Sequence, residues 1–203
     1  MFEIKPLFEW YYIENNMSEN TTDEQIAVQV IQVPEMFGFL IDRYETKLDR
    51  YIQRQSGLDA DQRADILQEV FVKAYENIAS FDPRMSFNSW IYRICHNTII
   101  NDWKRNKKYR SGVSFDRDES HFLENLFADD DGLKDVYARE DANVVSQALA
   151  KIKPAYKDIL VLRFFEELQY EEISDILRIP LGTVATNISR AKKELGKHII
   201  STD

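Results

Sequence analysis

The stretch YEEISDILRIPLGTVATNISRAKKEL, residues 170–195, leaves the chain little choice of local fold, because two short runs of helical periodicity meet at a proline. Ile173, Ile176 and Leu177 recur at the spacing of one helical face, and Glu171 and Glu172 occupy the first turn, where the positive end of the helix dipole favours acids. The break falls at Arg178-Ile179-Pro180. Proline suits the first position of a new helix, since its missing N–H would have no intrahelical partner there. In the second helix Leu181, Val184, Ile188, Ala191 and Leu195 step by three and four residues and fill one narrow sector. Gly182, Thr186, Ser189, Arg190, Lys193 and Lys197 fill the opposite sector. Small and hydroxyl side chains early, with cations later, are what a major groove asks of an inserted helix, base edges first and phosphates beyond. An ordinary helical hairpin with a solvated polar face carries the same pattern, so the rest of the chain must decide.

Net charge argues against a free DNA binder. The 203 residues sum to -9, whereas attraction to phosphate comes from positive surface. The acids, however, are segregated. From Ser114 to Asp141, Asp116, Asp118, Glu119, Glu124, Asp129, Asp130, Asp131, Asp135, Glu140 and Asp141 face only Arg117, Lys134 and Arg139, an excess of seven negative charges. This composition reads as a solvated tether. Phe115, Phe122, Leu123, Leu126 and Phe127 within it suggest that part becomes ordered on a partner. The chain so divides into an N-terminal extension (1–33), a first helical domain (34–110), an acidic linker (111–137) and a second helical domain (138–203), an all-α architecture.

Several function classes drop out. Cys95 is the single cysteine, so an internal disulfide framework or cysteine zinc site is excluded; it lies in an apolar run, where a cysteine is usually core. The carboxylates gather in a stretch with no helical register, so no catalytic, cofactor-binding or metal-binding constellation is expected and the protein is read as a non-enzyme. No apolar run approaches the roughly 18 residues of a membrane span, and no basic segment precedes an apolar one at the N-terminus; a cytoplasmic protein is expected. The first residues are aromatic (Phe2, Phe8, Trp10, Tyr11, Tyr12), then polar, and Met17 is a second candidate start. Asp23 to Val33 is expected to form one short helix before Pro34.

In the first domain, Glu35 to Ser56 reads as a helix with Phe37, Leu40, Ile41, Tyr44, Leu48 and Tyr51 inward and Gly57 closing it. Asp59 or Asp61 caps the next helix, whose core stripe is Leu67, Val70, Phe71, Ala74 and Ile78. Its reverse face shows Asp65, Gln68, Glu69, Val72 and Glu76, either solvated surface or a docking face for a basic helix. Beyond Phe81-Asp82-Pro83-Arg84, the helix from Phe87 has two occupied faces. Phe87, Trp90, Ile91, Ile94 and Thr98 make one, and Tyr92, His96, Ile99 and Trp103 the other. It then turns basic at Lys104, Arg105, Lys107, Lys108 and Arg110. Rings beside cations suit single-stranded nucleic acid; the alternative is core aromatics and a solvated helix end.

DILQEVFVKAYENIASFDP and SFNSWIYRICHNTIINDWKRNKKYR resemble the promoter-melting domain of sigma-70-family RNA polymerase sigma factors. KPAYKDILVLRFFEELQYEEISDILRIPLGTVATNISRAKKEL resembles their promoter-binding domain. With the two close together, the resemblance is to the compact extracytoplasmic-function (ECF) type. It implies that Asp65, Gln68, Glu69 and Val72 dock on the clamp helices of the polymerase β′ subunit, with the β subunit a further contact. It implies that Phe81 and Asn97 hold a base flipped from the melted minus-ten strand, beside Trp103, Lys104, Arg105, Lys107 and Lys108. In the duplex minus-thirty-five element, Thr186, Ser189 and Arg190 would meet base edges and Thr183, Lys192, Lys193 and Lys197 phosphates. An anti-sigma factor is a partner the family admits. His96 stands where many relatives carry arginine, Ala185 where they often carry a cation, Gln169 where they often carry serine, and Arg178 where they often carry glycine. A stand-alone helix-turn-helix regulator is the alternative function; it would protect duplex DNA without polymerase.

Overall fold

The computed structural model describes residues 21–106 and 142–200. The aromatic N-terminal segment, the acidic stretch, Lys107 and Lys108 lie outside them. Among the described residues are eight α-helices and no strand. Helices α1 (Asp23–Val30), α2 (Phe37–Ser56), α3 (Ala60–Asn77) and α4 (Phe87–Asn106) build the first module. Helices α5 (Ala142–Lys151), α6 (Pro154–Leu160), α7 (Tyr170–Leu177) and α8 (Leu181–Ile200) build the second.

Local chemistry sets most helix ends. Thr22 and Gln25 exchange the two hydrogen bonds of a capping box at the start of α1. The Asp59 carboxylate accepts the Gln62 N–H at 2.9 Å to start α3. Gly57, at φ 66°, closes α2 in the left-handed region that glycine enters without strain. Helix α1 stops at Val30, short of the expected Val33, and Pro34 instead opens a short 3-10 turn leading into α2. It is anchored by Asp23, which accepts from Arg43 and Tyr44 of α2, and by Glu24, which accepts the Phe87 N–H at 2.9 Å. Ile26, Ala27 and Val30 are buried.

The core departs from the expected stripes at two places. In α3 the buried positions are Ile66, Val70 and Ala74, with Ile78 beyond, whereas Leu67 and Phe71 are only partly buried. In α8 Val184, Ile188, Ala191 and Leu195 are buried, but Leu181 is 45% exposed. It stands in the first turn, beyond the elements that cover the rest of the stripe. After α6 the chain widens into a π turn over Val161–Phe165, which helical periodicity did not predict. Arg178 ends α7 at φ 53°, ψ 47°. Two bonds brace this turn, the Ile179 N–H to the Ser174 carbonyl at 3.2 Å and the Ser174 hydroxyl to the Ile179 carbonyl at 2.7 Å. A non-glycine residue held there costs roughly 1–2 kcal/mol, partly offset in the unfolded chain, so Arg178→Gly should gain about 0.5–1 kcal/mol. Urea unfolding checks this, and an unchanged midpoint would mean the turn carries no strain.

The two modules are in direct contact. Helix α7 lies along α4, and buried residues of both modules join in one hydrophobic cluster that runs from Ile26 to Ile188. A second cluster, Ala148, Leu149, Ile152, Leu160, Ala191, Leu195 and Ile199, ties α5 and α6 to α8. No helix of the described residues is long and apolar enough to cross a membrane.

Candidate nucleic-acid interface

Helix α8 buries its apolar stripe against α5, α6 and α7, which leaves the opposite sector open. Gly182, Thr186, Ser189, Arg190, Lys193 and Lys197 are exposed and Thr183 is half-buried. The Thr186 hydroxyl donates to the Gly182 carbonyl at 2.9 Å, so its methyl group and oxygen lone pairs face outward. A Cβ on Gly182 would meet nothing within 4 Å among the described residues, so no packing between them requires glycine there. Lys192 stands apart from the other cations: its ammonium lies 4.9 Å from the centre of the Phe164 ring, a contact within its own module.

In the first module, the outer face of α3 presents Asp65, Gln68, Glu76, Val72 (48% exposed) and Tyr75 (45% exposed). Glu69 is not a free acid on this face. It takes Lys73 at 2.7 Å and Arg105 at 3.0 Å, and the Lys73 hydrogen bond leads the influences that hold its carboxyl below the usual range. Arg105 also reaches Asp102 at 3.4 Å, so of the basic residues at the end of α4 it is internally paired, while Lys104 is exposed.

Phe81 and Asn97 occupy different settings. Phe81 is 8% exposed, its ring 5.4 Å from those of Phe87 and Trp90, and it anchors the loop that follows it. Asn97 is exposed on α4, two turns beyond Trp90 and so about 10 Å along the axis. Trp103 is half-buried and packs against the main core. Between α1 and the loop after Phe81 lies a groove of about 630 Å³, lined by Thr22, Glu24, Gln25, Val28, Gln29, Pro83, Arg84, Met85 and Ser86. No periodic signal pointed to it, because it forms only when α1 docks on that loop.

The second face of α4 is covered at Tyr92, His96 and Ile99, while Trp103 beyond them is only half-buried. His96 is 7% exposed and its Nδ1 lies 3.0 Å from the Tyr51 hydroxyl. Burial lowers its pKa to about 4, so it is neutral at neutral pH and makes no phosphate contact. Cys95 is fully buried, and burial raises its thiol pKa well above the ordinary value, which leaves it an inert core residue. Tyr92 donates to Glu166 of the second module at 2.6 Å, and Arg54 of α2 reaches the other oxygen of that carboxylate at 2.7 Å. The side chains of Arg54 and Glu166 are 10% and 5% exposed. The Lys157 ammonium donates to the Gln55 carbonyl at 2.9 Å, and burial lowers its pKa to about 8. Glu172 caps α7 by accepting the Gln169 N–H, and its other oxygen accepts from Asn88 at 3.2 Å and Ser86 at 3.4 Å. The doubled face of α4 was readable in sequence; Glu166, in a stretch without register, was not.

Comparison with known proteins agrees with this architecture. The family described as sigma-70 region 2 matches residues 40–109, and that described as sigma-70, region 4 matches residues 142–195. The ECF RNA polymerase sigma factor SigW of Bacillus subtilis is 32% identical over 166 residues, covering 80% of this chain and 88% of that one. The ECF RNA polymerase sigma-E factor of Escherichia coli is 29% identical, covering 90% and 97%. Among solved structures, CnrH in complex with the cytosolic domain of CnrY superposes with a TM-score of 0.65 at 21% identity, covering 89% of this chain and 99% of that one. The sigma factor RpoE of Bartonella quintana, in complex with the anti-sigma factor NepR, gives 0.58 at 18% identity, covering 82% and 98%. Two family matches in the right order, and a relative at this identity along most of its length, place the chain among the ECF sigma factors of the sigma-70 family, which act in transcription initiation.

Proposed function

We propose that this sigma factor binds core RNA polymerase and directs it to promoters, reading a minus-thirty-five element as duplex through α8 and opening a minus-ten element over α4. The open polar sector of α8, backed by a stripe buried from Val184 to Leu195, supports this reading best: it presents hydroxyls and cations along one groove-wide face. Thr186, Ser189 and Arg190 take base edges, and Thr183, Lys193 and Lys197 take phosphates. Lys192 joins them by leaving the Phe164 ring. Gly182 lets the helix approach the groove closely.

For the melted strand, Asn97 supplies hydrogen bonds and Trp103, Lys104, Arg105, Lys107 and Lys108 stacking and charge. Phe81 holds the loop that shapes the adjoining groove. Extruding a base costs a few kcal/mol, so a site that binds the unstacked base drives opening without ATP. Asp65, Gln68, Glu69 and Val72 form the surface for the β′ clamp helices, with the β subunit the further contact. An anti-sigma factor is a further partner, of the kind found with RpoE of Bartonella quintana in its complex with NepR.

Transcription in vitro with purified core polymerase on genomic fragments tests the reading. Asn97→Ala should lower open-complex formation about tenfold or more while sparing initial binding, and Arg190→Ala should weaken initial binding by about 1–3 kcal/mol. Permanganate footprinting and filter binding separate the two steps. Parental behaviour from both variants would remove these assignments.

A further inference from the structure

We infer that α8 reads the minus-thirty-five duplex through the 5-methyl groups of thymine, and that Leu181 and Thr186 are the residues that set this preference. The inference deepens the proposed reading of that element through α8 and rests on it. A helix inserted in the major groove meets base edges with its first turns. There guanine is read by Arg or Lys, adenine by Asn or Gln, cytosine by Asp or Glu, and thymine by apolar contact with its methyl group. Residues 181–186 of α8 read LGTVAT, with no charged or amide side chain among them. Val184 is buried and Thr183 half-buried, which leaves Leu181, Gly182, Ala185 and Thr186 exposed. The next amide, Asn187, is half-buried and lies on the opposite side of the helix from Ala185.

The hydroxyl of Thr186 does not supply the missing polar reader. It donates its hydrogen to the Gly182 carbonyl at 2.9 Å, so toward a base it keeps only acceptor capacity and its methyl group. An acceptor alone does not distinguish the amino group of adenine from that of cytosine. The methyl group does favour thymine.

Leu181 carries the apolar bulk. It is 45% exposed, and the stripe that packs α8 onto its own module begins only at Val184. Residues three and four apart on a helix are neighbours, so Leu181 adjoins Ala185, and Gly182 adjoins both Ala185 and Thr186. Gly182, with open space where a Cβ would stand, leaves room for a base methyl between them. Arg190, Lys193 and Lys197 are exposed farther along α8 and supply the positive charge that a duplex requires. The apolar patch is therefore continuous with a cationic surface, which suits DNA as its occupant. Arg190, one turn beyond Thr186, is the first exposed side chain of α8 able to take a guanine.

The test uses the full chain bound to core polymerase. Duplexes randomised across the minus-thirty-five element are selected by this holoenzyme, and each thymine of the enriched sequence is then replaced by deoxyuridine, which lacks only the 5-methyl group. At two or more positions the replacement should weaken binding about two- to fourfold each, the effect of returning one methyl group to water. Leu181→Ala should abolish the difference between thymine and deoxyuridine at one of these positions. Thr186→Ser, which keeps the hydroxyl and removes only the methyl group, should abolish it at another. Both side chains are exposed, so neither variant disturbs the core. A residue that merely supported the helix would weaken binding to both duplexes alike and leave their ratio intact.

An enriched element that is indifferent to deoxyuridine, or that contains no thymine, overturns the methyl reading while leaving α8 as a reader of duplex. Ratios unchanged in both variants overturn the assignment to Leu181 and Thr186. A holoenzyme that enriches no minus-thirty-five sequence removes the duplex reading beneath the inference, and the inference with it.

Discussion

Phe87→Ala is expected to lower the free energy of unfolding by about 3–5 kcal/mol, the range for deleting a fully buried phenylalanine and leaving its cavity. Phe87 is 1% exposed and sits where three segments meet. Its ring lies 5.5 Å from Tyr44 of α2, 5.4 Å from Phe81 in the loop and 5.4 Å from Trp90 of α4. The Tyr44 and Phe81 pairs are edge-to-face and the Trp90 pair is tilted; such pairs add to area burial, and alanine would remove all three contacts at once. The surrounding rings cannot collapse into the gap without leaving their own partners. Phe87→Leu should cost only about 1–1.5 kcal/mol, because most of the volume remains. Urea unfolding of the full chain measures both. A loss below about 1 kcal/mol for the alanine variant would show that the ring cluster does not hold α2, the loop and α4 together. The variant should also reach function indirectly: Phe81 loses its support, and with it the loop that lines the groove beside α1.

Where short-range chemistry decides structure, the sequence was legible. Gly57 at a left-handed helix end, an aspartate cap at 59 or 61 that the structure gives to Asp59, and the buried face of α8 at Val184, Ile188, Ala191 and Leu195 all follow from residue type and a 3.6-residue period. The α3 stripe shows the limit. Ile66 and Leu67 are adjacent, so the period admits either as the inward row, and only the placement of α2 and α4 on the same helix buries Ile66 more deeply.

The functional surfaces divide in the same way. The polar sector of α8 could be drawn on a helical wheel because nothing among the described residues covers it. The state of Glu69, Arg105 and Lys192 could not, since each is paired with a residue on another helix or, for Lys192, with the Phe164 ring. The two-faced composition of α4 announced a second face with something to bind or to bury. That the cover is α7 and Glu166, rather than nucleic acid, is a tertiary fact with no local signature.

Acidification should destabilise the fold through His96 before most carboxylates are protonated. Burial holds this imidazole at a pKa of about 4, against 6.5 in an unfolded chain, because the charged ring would lose its water inside the first module. Above pH 6.5 both states are neutral and the group adds no pH dependence. As pH falls from about 6.5 to about 4, the unfolded chain binds a proton that the folded chain refuses, and stability drops by up to about 3 kcal/mol. Below about pH 4 both states are charged and the loss is complete.

A His96→Gln chain should start less stable at pH 7, having disturbed a packed site that includes Tyr51, but its stability should fall less steeply over that window. Urea midpoints at half-unit pH steps for parent and variant give the difference directly and cancel the carboxylates common to both. Parallel curves would mean that the imidazole reaches water in the folded protein.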